Sequence, residues 1–371
     1  MSSLKPASGI GDVAQAAGVS VTTVSNVLNG RAERMSAETR SRVMQAIEQL
    51  GYTPSASARQ LKTGRSRTVG LVVPTVANPF WGSVAHEIEK AALARGYNVM
   101  ICNAERDPIA ERQYAETLLS YGVKGVIFGS SPVSFDHLAS LRSRGLVIAA
   151  FDWRGTDEDD AAACSVSVDN ELGVRLAIQH LIGLGHRRIG AISGPIRTES
   201  RIKRLAGFRA AMRDAGLAID EDLMWEGAAV SGYGDTEGAE LGRAGMRELL
   251  TRREPPSAVF AMNDLYAWGA YAGARDMGLR IPDDVSIVGF DDIVLSELIQ
   301  PPLTTVRQPT AAMSRSMIAG LLAQLEAQPT GAPAHLSAAP ALIIRGSTAA
   351  PRLRAAQATT FREPKKTKRK P

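Results

Sequence analysis

Four side chains that can both donate and accept hydrogen bonds lie close together near the start of the chain: Thr22, Thr23, Ser25 and Asn26. The spacing of the apolar residues around them predicts that they share the exposed face of a short helix. Ser20 directly precedes this helix, where its side chain can cap the free backbone amides. This row of polar side chains can therefore form hydrogen bonds with the surface of another molecule.

A tight pair of helices is predicted to hold this row, over residues 10–30. One apolar face with steps of three to four residues runs through both helices, at Val13, Ala14, Ala17, Val19, Val24 and Val27. Gly18 lies between the helices, where a tight turn needs left-handed backbone. Such a pair, with a polar second helix, fits the major groove of DNA. An ordinary helical hairpin is the alternative interpretation.

A third helix is predicted from the cap at Ser36 to Gly51, which completes an all-α helix-turn-helix headpiece at residues 9–53. Residues 54–67 contain one more helical segment of about eight residues and a linker. A helix of that length is marginal in isolation. We expect it to fold only when something holds it.

From residue 68 onward, short β-rich runs alternate with amphipathic helical segments, which predicts parallel sheets covered by helices. The pattern occurs twice and indicates an α/β body of two Rossmann-like lobes with a cleft at the carboxyl ends of the strands. The expected limits are 68–168 with 309–338 for lobe 1, 169–308 with 339–349 for lobe 2, and 350–371 for a basic disordered tail.

Charge is distributed unevenly over the 371 residues, whose net charge is +5. Residues 1–67 carry a net charge of +5 and residues 350–371 a net charge of +7, whereas the rest is acidic. Basic ends suit contact with phosphate. The tail is interpreted as a solvated end, and an auxiliary phosphate-binding arm is the alternative.

Motifs for catalysis are missing from the sequence. It has no G-x-S-x-G elbow, no P-loop and no His/Cys cluster with the spacing of metal ligands. The two cysteines, Cys102 and Cys164, imply no disulfide framework. We therefore expect neither an enzyme nor a cofactor or metal. The sequence shows no apolar run of membrane-spanning length and no secretory signal at its start, so we expect a cytoplasmic protein without membrane contact.

Over residues 10–349 the chain resembles the LacI/GalR (lactose/purine repressor) family of bacterial transcription regulators. The segments that carry the resemblance include DVAQAAGVSVTTVSNVLNG (12–30), ANPFW (77–81), VDN (168–170), LGHRRIGAISGP (184–195), IPDDVSIVGFDD (281–292) and PPLTTVRQP (301–309). The resemblance implies a helix-turn-helix headpiece, a hinge helix, and a body of the periplasmic-binding-protein type I fold with three crossovers between lobes. It also implies a homodimer, or a tetramer, that binds a palindromic double-stranded operator.

The resemblance assigns DNA contact to Ser20, Val21, Thr22, Thr23, Asn26, Arg31, Arg59, Leu61 and Lys62. Val21, Thr22 and Asn26 match the positions that read bases. An asparagine can donate to and accept from an adenine edge, and a threonine can bond a base or touch a thymine methyl group. Arg59 and Lys62 flank the hinge helix and can meet phosphates.

The same resemblance places a small effector in the cleft, against Phe80, Trp81, Asp152, Trp153, Ser200, Arg204, Asn263 and Asp291. Aromatic faces with an Asp, an Arg and an Asn are typical of a polyol site, so a sugar or sugar derivative is expected. Trp153 stands where sugar-responsive members commonly carry an arginine, which resembles the purine-responsive pattern. Thr198 lacks an arginine that the purine site uses nearby.

Three interpretations of function remain open at this point. A repressor controlled by a sugar-like effector is favoured, and a purine- or nucleoside-responsive regulator or an activator is the alternative. A solute-binding protein has the same two lobes, but the headpiece argues against it.

Leu61 is the apolar wedge of the expected hinge helix, where an inserted leucine unstacks a base step of the minor groove. We predict that Leu61→Ala leaves the fold intact and weakens operator binding. Fluorescence anisotropy with labelled operator at matched salt checks this, with circular dichroism as the folding control. Equal operator affinity for the two proteins would contradict the wedge role.

Overall fold

The computed structural model describes residues 8–28, 35–53, 66–153, 162–228, 237–326 and 334–352. It contains two compact units, Met1–Ser66 and Arg67–Pro371. Arg31, Arg59, Leu61 and Lys62, with the expected hinge helix and most of the basic tail, lie outside the described residues. No helix in the part of the chain that is described is long and apolar enough to cross a membrane.

The first unit contains three helices, α1 (Ile10–Ala17), α2 (Val21–Leu28) and α3 (Ala37–Leu50). Their apolar faces meet in one small core that includes Val13, Val24 and Val43. Gly18 ends α1 with a φ of 64°, and the Ser20 hydroxyl accepts a hydrogen bond of 3.1 Å from the Thr23 amide. The predicted helix pair and both of these roles are confirmed.

One part of the predicted polar row is wrong. Ser25 is only 8% exposed, whereas Thr22 is exposed and Thr23 and Asn26 are half-buried. The cause is that α2 packs against both α1 and α3, so its buried arc includes Ser25 as well as the neighbouring Val24. The face open to a partner is therefore narrower than the sequence pattern suggested.

The body begins with five strands and their connecting helices. In chain order they are β1 (Thr68–Val73), α4 (Pro79–Leu93), β2 (Asn98–Asn103), α5 (Pro108–Ser120), β3 (Gly125–Phe128), α6 (Ala139–Arg142), β4 (Val147–Phe151) and β5 (Cys164–Val168). A 3-10 turn, Asp136–Leu138, precedes α6. The helical segment between β3 and β4 is thus divided into two short pieces, in which Leu138 and Leu141 are buried.

The second half of the body repeats the alternation. It contains α7 (Asn170–Gly183), β6 (Ile189–Ser193), α8 (Glu199–Asp214), β7 (Met224–Glu226), α9 (Gly238–Leu250), β8 (Ala258–Ala261), α10 (Asp264–Asp276), β9 (Ser286–Asp291) and β10 (Thr304–Arg307). The last described elements are α11 (Thr310–Glu326), β11 (Ala334–Ala338) and β12 (Ala341–Ile343). Two further 3-10 turns lie at Glu221–Leu223 and Val294–Ser296.

The strands form two six-stranded sheets, β11-β5-β4-β3-β1-β2 and β12-β10-β9-β8-β6-β7. All neighbours are parallel except β10 and β12, which are antiparallel. The chain passes between the sheets after β5, after β10 and after β11. This arrangement confirms the predicted fold class: a helical headpiece and a two-lobed α/β body. The detailed limits of the domains and lobes stay predictions.

Two glycines set the close approach of α9 and α10 in lobe 2. A Cβ atom at Gly242 would lie 2.1 Å from the Tyr266 carbonyl oxygen, and one at Gly269 would lie 2.0 Å from the Ala239 carbonyl oxygen. Only glycine lets the two backbones come this close. Because α10 begins directly after Asn263, this packing fixes one wall of the cleft.

Candidate functional site

The cleft lies where the carboxyl ends of both sheets meet. Six non-glycine residues in the described ranges have positive φ, and each lies at or shortly after the end of a strand: Glu105, Arg106, Ser131, Asp152, Asp291 and Asp292, with φ between 49° and 123°. Such conformations cost free energy and concentrate at functional sites. Four of these residues, Arg106, Ser131, Asp152 and Asp291, also line the cleft cavity.

Seven of the eight effector residues expected from the sequence line that cavity: Phe80, Trp81, Asp152, Ser200, Arg204, Asn263 and Asp291. They come from both lobes. The cavity volume is only about 40 Å³, which is small beside the pockets of about 300–1,000 Å³ that hold organic ligands. An organic ligand therefore needs the lobes, or the side chains between them, to move apart.

Arg204 is the central charged group of the cleft and is only 8% exposed. Its Nε donates to Asn170 Oδ1 at 2.8 Å, and its Nη1 donates to the Met262 carbonyl oxygen at 2.5 Å. The guanidinium lies 3.6 Å from the centre of the Phe290 ring. Burial lowers its pKa, and this effect is opposed by the carboxylates of Asp291 and Asp152.

Asp291 ends β9 and lies 3.6 Å from the Arg204 guanidinium, measured from Oδ1 to Nη2. Gln308 Nε2 donates to the same carboxyl at 2.7 Å. Burial raises the pKa of Asp291 from 3.8 to about 7, because the loss of solvation outweighs the attraction of Arg204. Asp291 therefore titrates in the physiological range.

Asp152 belongs to lobe 1 and reaches the same network through Asn170. Asn170 Nδ2 donates to Asp152 Oδ1 at 3.0 Å while Asn170 Oδ1 accepts from Arg204. Burial raises the pKa of the Asp152 carboxyl, and Arg204 opposes this shift. Asn170 lies at the first crossing between the lobes and Gln308 at the second, so the network joins these two crossings to the cleft.

The aromatic wall is formed by the start of α4. Trp81 packs edge-to-face on Phe80 at 5.1 Å and on Phe151 at 6.0 Å between ring centroids. A Cβ atom at Gly129 would lie 2.6 Å from the Trp81 ring, so only glycine leaves room for the indole. Trp81 is thus held rigidly, and Phe80 remains partly exposed beside the cavity.

Trp153 is the expected effector residue that does not line the cavity. It is 4% exposed and packs on Phe135 at 4.9 Å, within a separate apolar cluster of lobe 1. Asp152 follows the end of β4 and has left-handed backbone, with a φ of 53°, so the chain turns sharply there. Asp152 lines the cleft, whereas Trp153 lies after this turn and packs into the apolar cluster of lobe 1.

Sequence reasoning missed Asn78, Arg106, Ser131, Asn170, Arg201 and Gln308, which line the cavity or join its network. Asn170 and Gln308 do follow strand-like runs directly, so the rule that ligands bind beyond strand ends could have found them. Arg106 and Ser131 lie in loops and give no such signal. Among the described residues, no group of three His, Cys, Asp or Glu side chains is placed to hold a metal ion.

The described DNA-contact candidates cluster around α2. Val21 is 47% exposed, Thr22 is exposed, and Asn26 lies one turn later on the same side as Thr22. Ser20 and Thr23 are joined by a hydroxyl–hydroxyl hydrogen bond of 2.9 Å. The exposed surface of the helix therefore presents Val21, Thr22 and Asn26 together.

Comparison with known proteins identifies both units. Residues 9–55 match the family described as bacterial regulatory proteins, lacI family, and residues 178–348 match the periplasmic binding protein-like domain. A relative from Haemophilus influenzae, the HTH-type transcriptional repressor PurR, is 35% identical over 341 residues, covering 91% of this chain and 98% of that protein.

Two solved structures are similar over almost the whole chain. The complex of the transcriptional regulator CelR with cellobiose is 33% identical, with a TM-score of 0.68, and covers 92% of this chain and 100% of that one. The lac repressor dimer bound to operator and the anti-inducer ONPF is 28% identical, with a TM-score of 0.79 and coverage of 93% and 100%. These relatives are regulators, which agrees with the expectation that the chain is not an enzyme.

The raised pKa of Asp291 predicts a pH effect on stability. Between about pH 4 and pH 7 the folded protein holds a proton that the unfolded chain has released, so the free energy of unfolding falls as pH rises and levels off above that range. Asp291→Asn should remove this part of the pH dependence. Urea denaturation at several pH values between 5 and 8 measures it.

The matched control is Glu297→Gln, at an exposed carboxylate a few residues further along the chain. Asp152 and Asp264, whose carboxyl pKa values are also raised by burial, remain in all three proteins. The difference between wild type and Asp291→Asn therefore isolates Asp291. Parallel stability profiles for these two proteins would contradict the assignment.

Proposed function

Since the chain belongs to the LacI family of bacterial regulatory proteins, we propose that it is a repressor whose operator affinity is set by a sugar or sugar derivative in the interlobe cleft. It binds a palindromic operator as a homodimer and acts in the cytoplasm, where its DNA is. Its base-reading surface is Val21, Thr22 and Asn26. Phosphate contacts come from Arg31, Arg59 and Lys62.

The observation that carries the effector proposal is the buried network beside the aromatic wall, in which Arg204 pairs with Asp291 and is linked to Asp152 through Asn170. Charged groups held by amides make strong, directional hydrogen bonds to hydroxyl groups. The partly exposed Phe80 offers an apolar face to the C–H side of a sugar ring. A polyol satisfies both demands, which favours a sugar.

Coupling to DNA follows from the position of the network. Asn170 and Gln308 lie at crossings between the lobes and bind cleft carboxyls, so a ligand that displaces these bonds changes the angle between the lobes. The movement reaches the dimer interface, and the hinge segment with Leu61 folds or melts. Since effector and operator bias one equilibrium, each changes the affinity of the other by the same factor.

The exposed edge of the lobe 1 sheet is the surface that suits dimerisation with a second copy of the chain. Strand β2 is an edge strand, and its neighbouring side chains Met100 and Ile101 point to opposite faces yet are 41% and 45% exposed. Exposed apolar edge strands invite pairing or coverage. Coverage by the partner's lobe 1 explains this edge, and the lac repressor of similar fold was solved as a dimer.

We predict that Ile101→Asp shifts the protein from dimer to monomer, because a carboxylate cannot be buried unpaired in an apolar interface. The matched control is Leu336→Asp, at a 48% exposed position of β11 on the opposite edge of the same sheet. Light scattering after size exclusion measures the mass. A dimer that survives Ile101→Asp and dissociates with Leu336→Asp would place the interface elsewhere.

A purine or nucleoside is the second candidate effector. It is favoured by the 35% identity to the PurR repressor and by the amide side chains of Asn78 and Asn263 in the cavity wall, which can bond the edge of a base. A thermal-shift screen of sugars, sugar acids, nucleosides and purines separates the two, because a ligand that binds only the folded state raises the melting temperature.

The screen leads to the decisive experiment. Operator affinity is titrated with and without the ligand found, and ligand affinity with and without operator. We expect two equal factors, of about 5- to 150-fold. Arg204→Ala should abolish the thermal shift, while Asn26→Ala should keep it and lose operator affinity. An operator affinity that is unaffected by every cleft ligand would refute the proposal.

A further inference from the structure

A second and larger space adjoins the cleft cavity. It measures about 310 Å³, against about 40 Å³ for the cleft cavity itself. Ser130, Pro132 and Val133 form one side, and Arg197 and Thr198 form part of another. Arg106 lines both spaces, so they are neighbours within one groove between the lobes. We call the larger space the outer compartment.

The division between the two spaces is a pair of hydrogen bonds from lobe 2 to Ser131. The Glu199 amide donates to the Ser131 carbonyl oxygen at 3.1 Å, and the Ser200 amide donates to its hydroxyl at 3.0 Å. Ser131 faces the cleft cavity, and its neighbour Ser130 faces the outer compartment. Because these two hydrogen bonds are non-covalent, they break when the lobes move apart, and the cleft cavity and the outer compartment then become one space.

The outer compartment contains a polar group that lacks a partner. Ser130 is 5% exposed, and its hydroxyl has no hydrogen-bond partner among the described residues. A buried hydroxyl without a partner is costly and calls for an explanation. The hydroxyl oxygen is itself covered by protein, so a ligand hydroxyl supplies the missing hydrogen bond once the groups that cover it move aside.

Charge in the outer compartment is balanced. Arg106 and Arg197 are matched by Glu111 and Asp136, and Glu111 is already bonded to His137 at 2.8 Å. The exposed surface between these groups includes Pro108, Pro132 and Val133. An anion gains little from balanced charge, whereas a neutral ring with hydroxyl groups and apolar C–H faces can use all of these contacts.

We propose that the effector has at least two sugar rings, one beside Trp81 and Arg204 in the cleft cavity and the next in the outer compartment against Ser130 and Val133. This inference rests on the proposed sugar effector. It adds a size class: disaccharides and longer chains bind, and single sugars bind weakly.

Isothermal titration of the full-length protein tests this with cellobiose, maltose, lactose and xylobiose, with glucose, galactose and xylose as their single units, and with inosine. At least one disaccharide should bind about 10- to 100-fold more tightly than each of its units, because a second ring adds about a dozen atoms of contact.

Ser130→Leu fills the outer compartment from its wall, and Val133→Trp fills it from a position that is 61% exposed. Both should reduce disaccharide affinity to the level of the single sugar and leave single-sugar affinity unchanged.

The control is Ser140→Leu, on an exposed position of α6 outside both spaces. It should keep the full preference for the disaccharide. Single sugars that bind as tightly as disaccharides, or a preference that survives both filling variants, would overturn the size class and leave the sugar effector standing. Binding of inosine alone, or of no sugar, would overturn both.

Discussion

The guanidinium of Arg204 is the interaction on which the cleft depends. A buried cation without partners is too costly to persist, so every neighbouring element must supply one. Asn170 and Met262 provide acceptors, Asp291 provides charge, and Phe290 provides an aromatic face. Since Asp152 reaches Arg204 through Asn170, the position of each lobe is tied to one side chain.

This arrangement explains why the strand ends are strained. Asp152 and Asp291 hold their carboxyls toward Arg204 with φ values of 53° and 123°. Such backbone is tolerated only where surrounding contacts enforce it. The ion pair and its amide partners supply those contacts, and a ligand that replaces them releases or redistributes the strain. The cleft therefore has the properties of a two-state element that a small molecule can bias.

The headpiece was predictable because its signals are local. A capping hydrogen bond joins residues only three positions apart, and the left-handed backbone of a glycine concerns that residue alone. The roles of Ser20, Ser36 and Gly18 could therefore be assigned from the sequence. The alternation of short β-rich runs with helical segments from residue 68 could also be recognised, because it is a pattern of neighbouring residues. Ser25 was misjudged because its burial depends on α3 as well as on its own helix.

By itself, the sequence determined the family and the two-lobed α/β fold, because the motifs and the alternation of strands and helices are local patterns. The resemblance to that family also named seven of the side chains that line the cleft. Only the tertiary structure decided that Trp153 packs away from the cavity and that Asn170 and Gln308 connect its charges. It also decided that an outer compartment adjoins the cavity, beside a Ser130 hydroxyl without a hydrogen-bond partner among the described residues. These features join residues that are far apart in the chain. Their pairing depends on how loops from two lobes meet, which no local pattern of residue types specifies.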